Sequence, residues 1–261
     1  SNKPQTTRNR ICGVLTRGEC QFVFLDTPGL HRAANRLGDY MVDVVRRSVA
    51  DVDAVLLLVE PIPNVGGPEK ELIEQIKKMH VPSVLVINKI DKMQPDEFAE
   101  IYKEYEDLGL FEEIIGVSAK EGTHVENVIK EVAQFMEEGP MYFPDDMITE
   151  HPERFVVSEI IREKILMYLQ DEGPHGVAVE IEQYKEEEKI TKIHAVIYCE
   201  KKSHKGMIIG KGGRKLKGIG KSAREEIEVL LGTKVYLELW VKVKENWRDS
   251  DVALSNFGYK E

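Results

Sequence analysis

The sequence is poor in cysteine, in aromatic residues and in long apolar runs, and each shortage excludes something. Cys12, Cys20 and Cys199 are odd in number and lack the paired spacing of a zinc or redox site. A disulfide scaffold is therefore excluded, and reduced thiols in a cytoplasmic compartment are expected. The longest aliphatic stretches, such as residues 54–59, fall far short of the roughly 20 residues that cross a bilayer. No signal-peptide pattern opens the chain. It begins Ser-Asn-Lys-Pro-Gln-Thr-Thr-Arg, a polar run without Met that reads as a cut end.

What is present is charge, unevenly spread. The 261 residues are 42% hydrophobic and 31% charged with a net charge of -10, a globular composition long enough for one large domain or two ordinary ones. Residues 1–139 hold 16 Lys and Arg against 24 Asp and Glu, whereas residues 201–222 hold eight basic residues and no acidic one. A confined basic stripe on an acidic protein binds a polyanion at one place while the rest repels it.

Residues 22–25, 54–59 and 83–87 read as buried parallel strands ended by polar residues, and 114–117 as a fourth that ends at Ser118. Helical periodicity covers residues 35–48, 68–79, 95–108 and 124–136. This alternation predicts an α/β layer with a mostly parallel sheet and ligand sites at the carboxyl ends of its strands. Residues 11–16 and 21–25 flank Arg17-Gly18-Glu19 and predict an antiparallel hairpin. Residues 140–151, with two prolines and no periodicity, read as a linker. Beyond it the order α-β-β-α-α-β predicts a small α+β domain, with a strand at 234–243 and Trp247 packing a closing helix.

Three strings follow strands. Asp26-Thr27-Pro28-Gly29 offers a carboxylate and a glycine that a phosphate can approach. Asn88-Lys89-Ile90-Asp91 offers a carboxylate that can accept from the N1 and N2 donors of guanine, a pair that adenine lacks. Such a site discriminates by about 10⁴. Ser118-Ala119-Lys120 would supply a backbone N–H to the guanine carbonyl. Each alone is also a common turn former; all three in order, with Thr6-Thr7-Arg8 upstream, are far more specific.

With these strings the chain resembles the P-loop GTPases of the translation-factor-related class. More narrowly, residues 154–164 and the Tyr236-Leu237-Glu238-Leu239-Trp240-Val241-Lys242-Val243 string resemble the bacterial members that carry a carboxyl-terminal RNA-binding KH domain. The resemblance runs end to end. It implies a GTPase domain over 1–139 lacking its first strand and phosphate loop, a linker over 140–151 and a type II KH domain over 152–261. GTP or GDP with Mg²⁺ would be held by Thr7, Asp26, Gly29, Asn88, Lys89, Asp91, Ser118, Ala119 and Lys120, with Thr7 and Asp26 toward the metal. The implied partner is the 3′ end of small-subunit ribosomal RNA, the implied role is small-subunit assembly, and the implied state is a cytoplasmic monomer.

Two departures shape these expectations. No Gly-x-x-x-x-Gly-Lys-Ser/Thr string occurs in the 261 residues; a preceding strand, phosphate loop and helix are expected to be missing, the strand being one that would lie in the sheet between the strands 22–25 and 54–59, and the chain as it stands is expected to bind GTP poorly. Leu30 follows Gly29 where many signalling GTPases place a water-orienting glutamine, so slow intrinsic turnover is expected.

In the basic stripe, Gly210-Lys211-Gly212-Gly213 reads as the Gly-x-x-Gly loop that clamps about four nucleotides. Lys205, Arg214, Lys215, Lys217 and Lys211 would neutralise phosphates, and Ile208 and Ile209 would line an apolar groove for bases. Leu239 and Trp240 read as core and groove wall, and His151 and His175 as loop residues, since no carboxylate or second histidine lies at metal-ligand spacing. Two other readings are a nucleotide-free RNA-binding protein and a regulator contacting the inner membrane surface through the stripe.

Overall fold

The computed structural model describes residues 7–29, 33–48, 52–63, 66–169 and 176–259. Thr6, Leu30 and His175 lie outside them, as does part of the segment after Gly29.

The first strands form the expected hairpin. β1 (Ile11–Arg17) pairs antiparallel with β2 (Cys20–Asp26), from Ile11 opposite Asp26 to Arg17 opposite Cys20. This corrects the reading of residues 22–25 as a buried parallel strand: Val23 is 39% exposed, and among the described residues the pair joins no other sheet. An alternating strand needs one covered face, whereas a parallel strand needs two.

The parallel sheet has the order β3 (Val55–Val59), β4 (Ser83–Asn88), β5 (Glu113–Val117). β4 is central and reads Ser-Val-Leu-Val-Ile-Asn because both of its faces are covered. Leu85 and Ile87 pack with Ile73 and Ile76 of α2 (Gly67–Met79) and Ile101 and Tyr105 of α3 (Pro95–Glu106). Val84 and Val86 pack on the other side with Ile115, Val117 and Val128, the last from α4 (Val125–Ala133). No strand lies between β2 and β3 among the described residues, and the two share no pairing.

The carboxyl-terminal half follows the predicted α-β-β-α-α-β order. Its sheet is β6 (Val177–Glu187), β7 (Ile190–Cys199), β8 (Lys234–Val243), with the first pair antiparallel and the second parallel. α5 (Glu153–Leu169), α6 (Lys202–Ile209) and α7 (Arg214–Leu231) cover one face. There Val157, Ile161, Ile165, Ile219, Ala223 and Ile227 meet Ile193, Ala195 and Ile197. The i, i+4 spacing of the helical residues puts each set on one stripe.

The residues read as a linker are strapped to the hairpin. The Val14 N–H donates to Ile148 O at 2.8 Å, the Thr149 hydroxyl to Cys12 O at 2.6 Å, and Gln21 bonds the carbonyl and N–H of Phe143, both at 2.9 Å. An aperiodic segment has no partners for its own backbone, and the hairpin supplies them. His151 lies outside helix and strand, as expected, and is held in place: its Nε2 accepts from the Cys12 N–H at 3.1 Å and its ring lies 4.6 Å from that of Phe155.

The halves also meet through α1 (Arg36–Ser48), whose Leu37 and Met41 cluster with Ala178, Trp247, Leu254 and Tyr259. Asn35 caps this helix, accepting from the Gly38 N–H at 3.0 Å. Trp247 is fully buried between Phe257 and Tyr259, beside α8 (Asp251–Asn256).

Candidate nucleotide and RNA sites

The ends of β4 and β5 bring the Asn88-to-Asp91 and Ser118-to-Lys120 strings together. Asn88 Oδ1 accepts from its neighbour Lys89 N–H at 2.8 Å and from Ala119 N–H at 3.1 Å. Asp91 accepts from the Ser118 hydroxyl at 2.7 Å, and that hydroxyl accepts from Glu121 N–H at 3.3 Å. Adjacent parallel strands put their carboxyl ends side by side, so residues 27 apart in sequence meet without a long detour. Lys89 adopts a left-handed backbone at φ +69°, a conformation that costs a non-glycine residue. Asn88's local hydrogen bond helps to hold it there.

Asp91 is an exposed residue, and the pKa of its carboxyl is lowered. The hydrogen bond from Ser118 is the main cause, with Lys120 and Lys92 adding to it and residual desolvation opposing it. The carboxylate therefore stays charged and ready to accept two donors. Lys89 Nζ pairs with Glu60, just after β3, and Lys120 Nζ pairs with Glu121 at 2.6 Å. Glu60 was missed in the sequence, although it obeys the rule used for the others: a polar residue directly after a buried strand.

Thr7 and Asp26 form a second cluster, with the Thr7 hydroxyl donating to an Asp26 oxygen at 3.0 Å. Asp26 ends β2, and the exposed Gly29 follows three residues on. Magnesium takes few hard oxygen ligands and keeps several waters. A hydroxyl and a carboxylate already within hydrogen-bond distance of each other fit that preference.

The glycine loop joins α6 to α7. Gly210, Gly212 and Gly213 all have positive φ, at +70°, +61° and +74°. A Cβ on Gly210 would also stand 2.6 Å from Lys215 Cβ, so only glycine fits there. Lys211, Gly212, Arg214 and Lys217 are exposed, while Lys205, Ile209, Gly210, Gly213 and Lys215 are half-buried. Ile208 is a correction: it is 0% exposed and belongs to the core under the sheet. In an eight-residue helix packed on the sheet, one of two successive isoleucines must point inward, and bases can meet only Ile209. Trp240 is the converse correction. It is 58% exposed on the sheet face away from the helices, the face that also carries Tyr236 at 50%, while Leu239 packs against the core.

A parallel sheet with polar residues meeting at its strand ends, joined to an α-β-β-α-α-β unit with a Gly-x-x-Gly loop, defines a two-domain protein in which a nucleotide-binding α/β layer carries a KH domain. Comparison with known proteins agrees. Residues 7–138 match the elongation factor Tu GTP-binding domain family, and residues 172–248 match the KH domain family. GTPase Era of Alkaliphilus oremlandii is 55% identical over 99% of the chain and 88% of the relative, and that of Clostridioides difficile is 52% identical over 100% and 89%. The chain belongs to the GTPase Era family, whose members are GTP-binding proteins with an RNA-binding KH domain. Among solved structures, an Aquifex aeolicus Era variant bound to GDP·AlF4⁻ matches with a TM-score of 0.94 at 36% identity, over 100% of this chain and 90% of that one. An Era complex with MgGDPNP and nucleotides 1506–1542 of 16S ribosomal RNA matches with the same score and identity, over 100% and 89%. The expectation that these 261 residues bind GTP poorly draws no support from the matches, since relatives aligned with 99–100% of the chain are GTPases. No described helix is long and apolar enough to cross a membrane.

Proposed function

We propose that the chain reads guanine through Asn88, Asp91, Ser118, Ala119 and Lys120. Through Lys211, Gly212, Arg214 and the neighbouring cations it grips the 3′ end of 16S ribosomal RNA, assisting assembly of the small ribosomal subunit as a cytoplasmic monomer. Residues 1–139 serve the first task and 152–261 the second. The observation that carries the reading is the hydrogen-bonded meeting of Asn88, Asp91, Ser118 and Ala119 at two adjacent strand ends. The Era complex that holds both GDPNP and 16S RNA supports the pairing of the two tasks.

In this mechanism Asp91 accepts from guanine N1–H and N2–H while Ser118 holds it in place, and the Ala119 backbone faces the carbonyl side of the base. Lys89 is steered by Glu60. A bound magnesium ion would supply positive charge against the phosphates. Thr7 and Asp26 are the residues that would hold it, and Gly29 leaves room beside them, with open space where a Cβ would be. The RNA grip is backbone-first: a loop of positive-φ glycines lets phosphates approach, and Lys211 and Arg214 neutralise them.

The test is amide NMR of the chain titrated with millimolar GDP or ADP. Shifts at Asp91, Ala119 and Lys120 with GDP and none with ADP are expected. Equal responses to both nucleotides, or none to either, would remove the base-reading assignment. GDP response without binding of a 16S 3′-end oligonucleotide would remove the RNA half alone.

A further inference from the structure

Arg8 directly follows Thr7, yet its guanidinium lies in the carboxyl-terminal half and the residue is only 1% exposed. It donates to the Val177 carbonyl at 2.7 Å and to the Tyr259 hydroxyl at 3.3 Å. It lies 5.9 Å from the Trp247 ring centre and 5.6 Å from that of Tyr259. Trp247 is anchored in turn by its indole N–H, which donates to Gly176 O at 3.1 Å. Burying a cation is costly, and rings plus placed acceptors offset the cost only in one geometry. Burial lowers the pKa of Arg8, Tyr259 opposes this, and Arg162 adds to it.

The neighbouring contacts converge on the same place. Asn9 accepts from the Tyr40 hydroxyl at 2.9 Å, and Tyr40 belongs to α1, the helix that follows the Asp26-to-Gly29 string. That helix sets Leu37 and Met41 against Trp247 and Tyr259. Both stretches that follow a phosphate-side residue therefore end in one plug on the KH domain.

We infer that Arg8 is a positioning residue: docked in the KH domain, it holds Thr7 beside Asp26, so that the state of Thr7 and the posture of the KH domain are coupled through one side chain. This rests on the magnesium-side role proposed for Thr7. Consecutive Cα atoms are only about 3.8 Å apart, so a displacement of Thr7 is passed to the Arg8 backbone and has to be taken up by the torsions of its side chain or by loss of the docked contacts. A close-packed box of two rings and a carbonyl switches between docked and undocked rather than yielding gradually. Linkage then requires each site to bias the other.

Hydrogen-exchange mass spectrometry of the whole chain tests this in wild type, Arg8→Gln, Arg8→Lys and Tyr259→Phe. In Arg8→Gln, exchange across residues 7–10 and 24–29 should accelerate about tenfold or more while β3 to β5 stay unchanged. Tyr259→Phe, which removes one acceptor and keeps the ring, should give a smaller change of the same pattern and serves if Arg8→Gln does not fold. Arg8→Lys should recover part of the protection. Acceleration confined to residues 176–179 and 246–259 would make Arg8 a mere filler of the KH core and overturn the inference. The readout that a filler would not move is the ratio of 16S 3′-end RNA affinities with GTP analogue and with GDP. It should collapse to about 1 in Arg8→Gln while nucleotide-free RNA affinity stays within about twofold. An unchanged ratio above 1 overturns the inference. A wild-type ratio of 1 instead sinks the nucleotide–RNA linkage, and the exchange pattern alone then decides Arg8.

Discussion

The strand-end cluster proposed to read guanine and the glycine loop proposed to grip RNA are built in opposite ways. The first is made of side chains: Asn88, Asp91 and Ser118 hold one another by hydrogen bonds at strand ends. The second is made of backbone: three glycines with positive φ shape a loop whose side chains are mostly absent. A side-chain site is specific and is lost by swapping one atom, whereas a backbone site tolerates changes in charge and is lost when a Cβ is added.

The sharpest way to break the contrast is Asp91→Asn. An amide replaces one acceptor with a donor facing guanine N1–H and N2–H, and two charge-assisted hydrogen bonds at about 1.5–3 kcal/mol each predict a loss of about 10²–10⁴ in guanine affinity. Xanthine, which presents an acceptor at position 2, should be recovered in competition titrations. RNA binding should not change.

Next comes Gly210→Ala. The strained backbone costs about 1–3 kcal/mol, and the new Cβ meets Lys215. Thermal unfolding of the KH half should fall and RNA affinity should drop about tenfold or more. Guanine binding that fell equally would show that the two sites are less independent than their construction suggests.

Lys211→Ala leaves the loop backbone intact. RNA affinity should weaken modestly, and the slope of log affinity against log salt should flatten by about one unit. An unchanged slope would mean that Lys211 does not meet a phosphate.

The smallest effect is Ser118→Ala read against pH. Because the folded-state pKa of Asp91 is lowered chiefly by Ser118, the charged form and its contribution are present above the ordinary carboxylate range. They are lost as pH falls through the depressed value, below about 4. Removing the hydroxyl should move that loss to higher pH, which carboxylate NMR titration of Asp91 would show.

Much of this was legible in the chain. The continuous apolar block of β4, ended by Asn88, announces a central parallel strand and a site at its tip, and the Lys234–Val243 strand was read to its bounds. Other features were not legible. Ile208 and Ile209 are chemically alike, and only the packing of α6 on the sheet buries the first. Trp240 alternates correctly for a strand, but alternation does not say which face is covered. His151 met Cys12 through a linker whose course no periodicity records.

The residue types and spacings alone determined which chemistry is available: a carboxylate and amides at strand ends, and glycines within a cationic stripe. These are local properties, written in hydrogen-bonding capacity, backbone freedom and charge. Only the tertiary structure decided that Arg8 leaves its own domain to sit beside the paired rings of Trp247 and Tyr259. Contacts spanning some 250 residues depend on which surfaces close-pack against each other, and no short-range pattern encodes that choice.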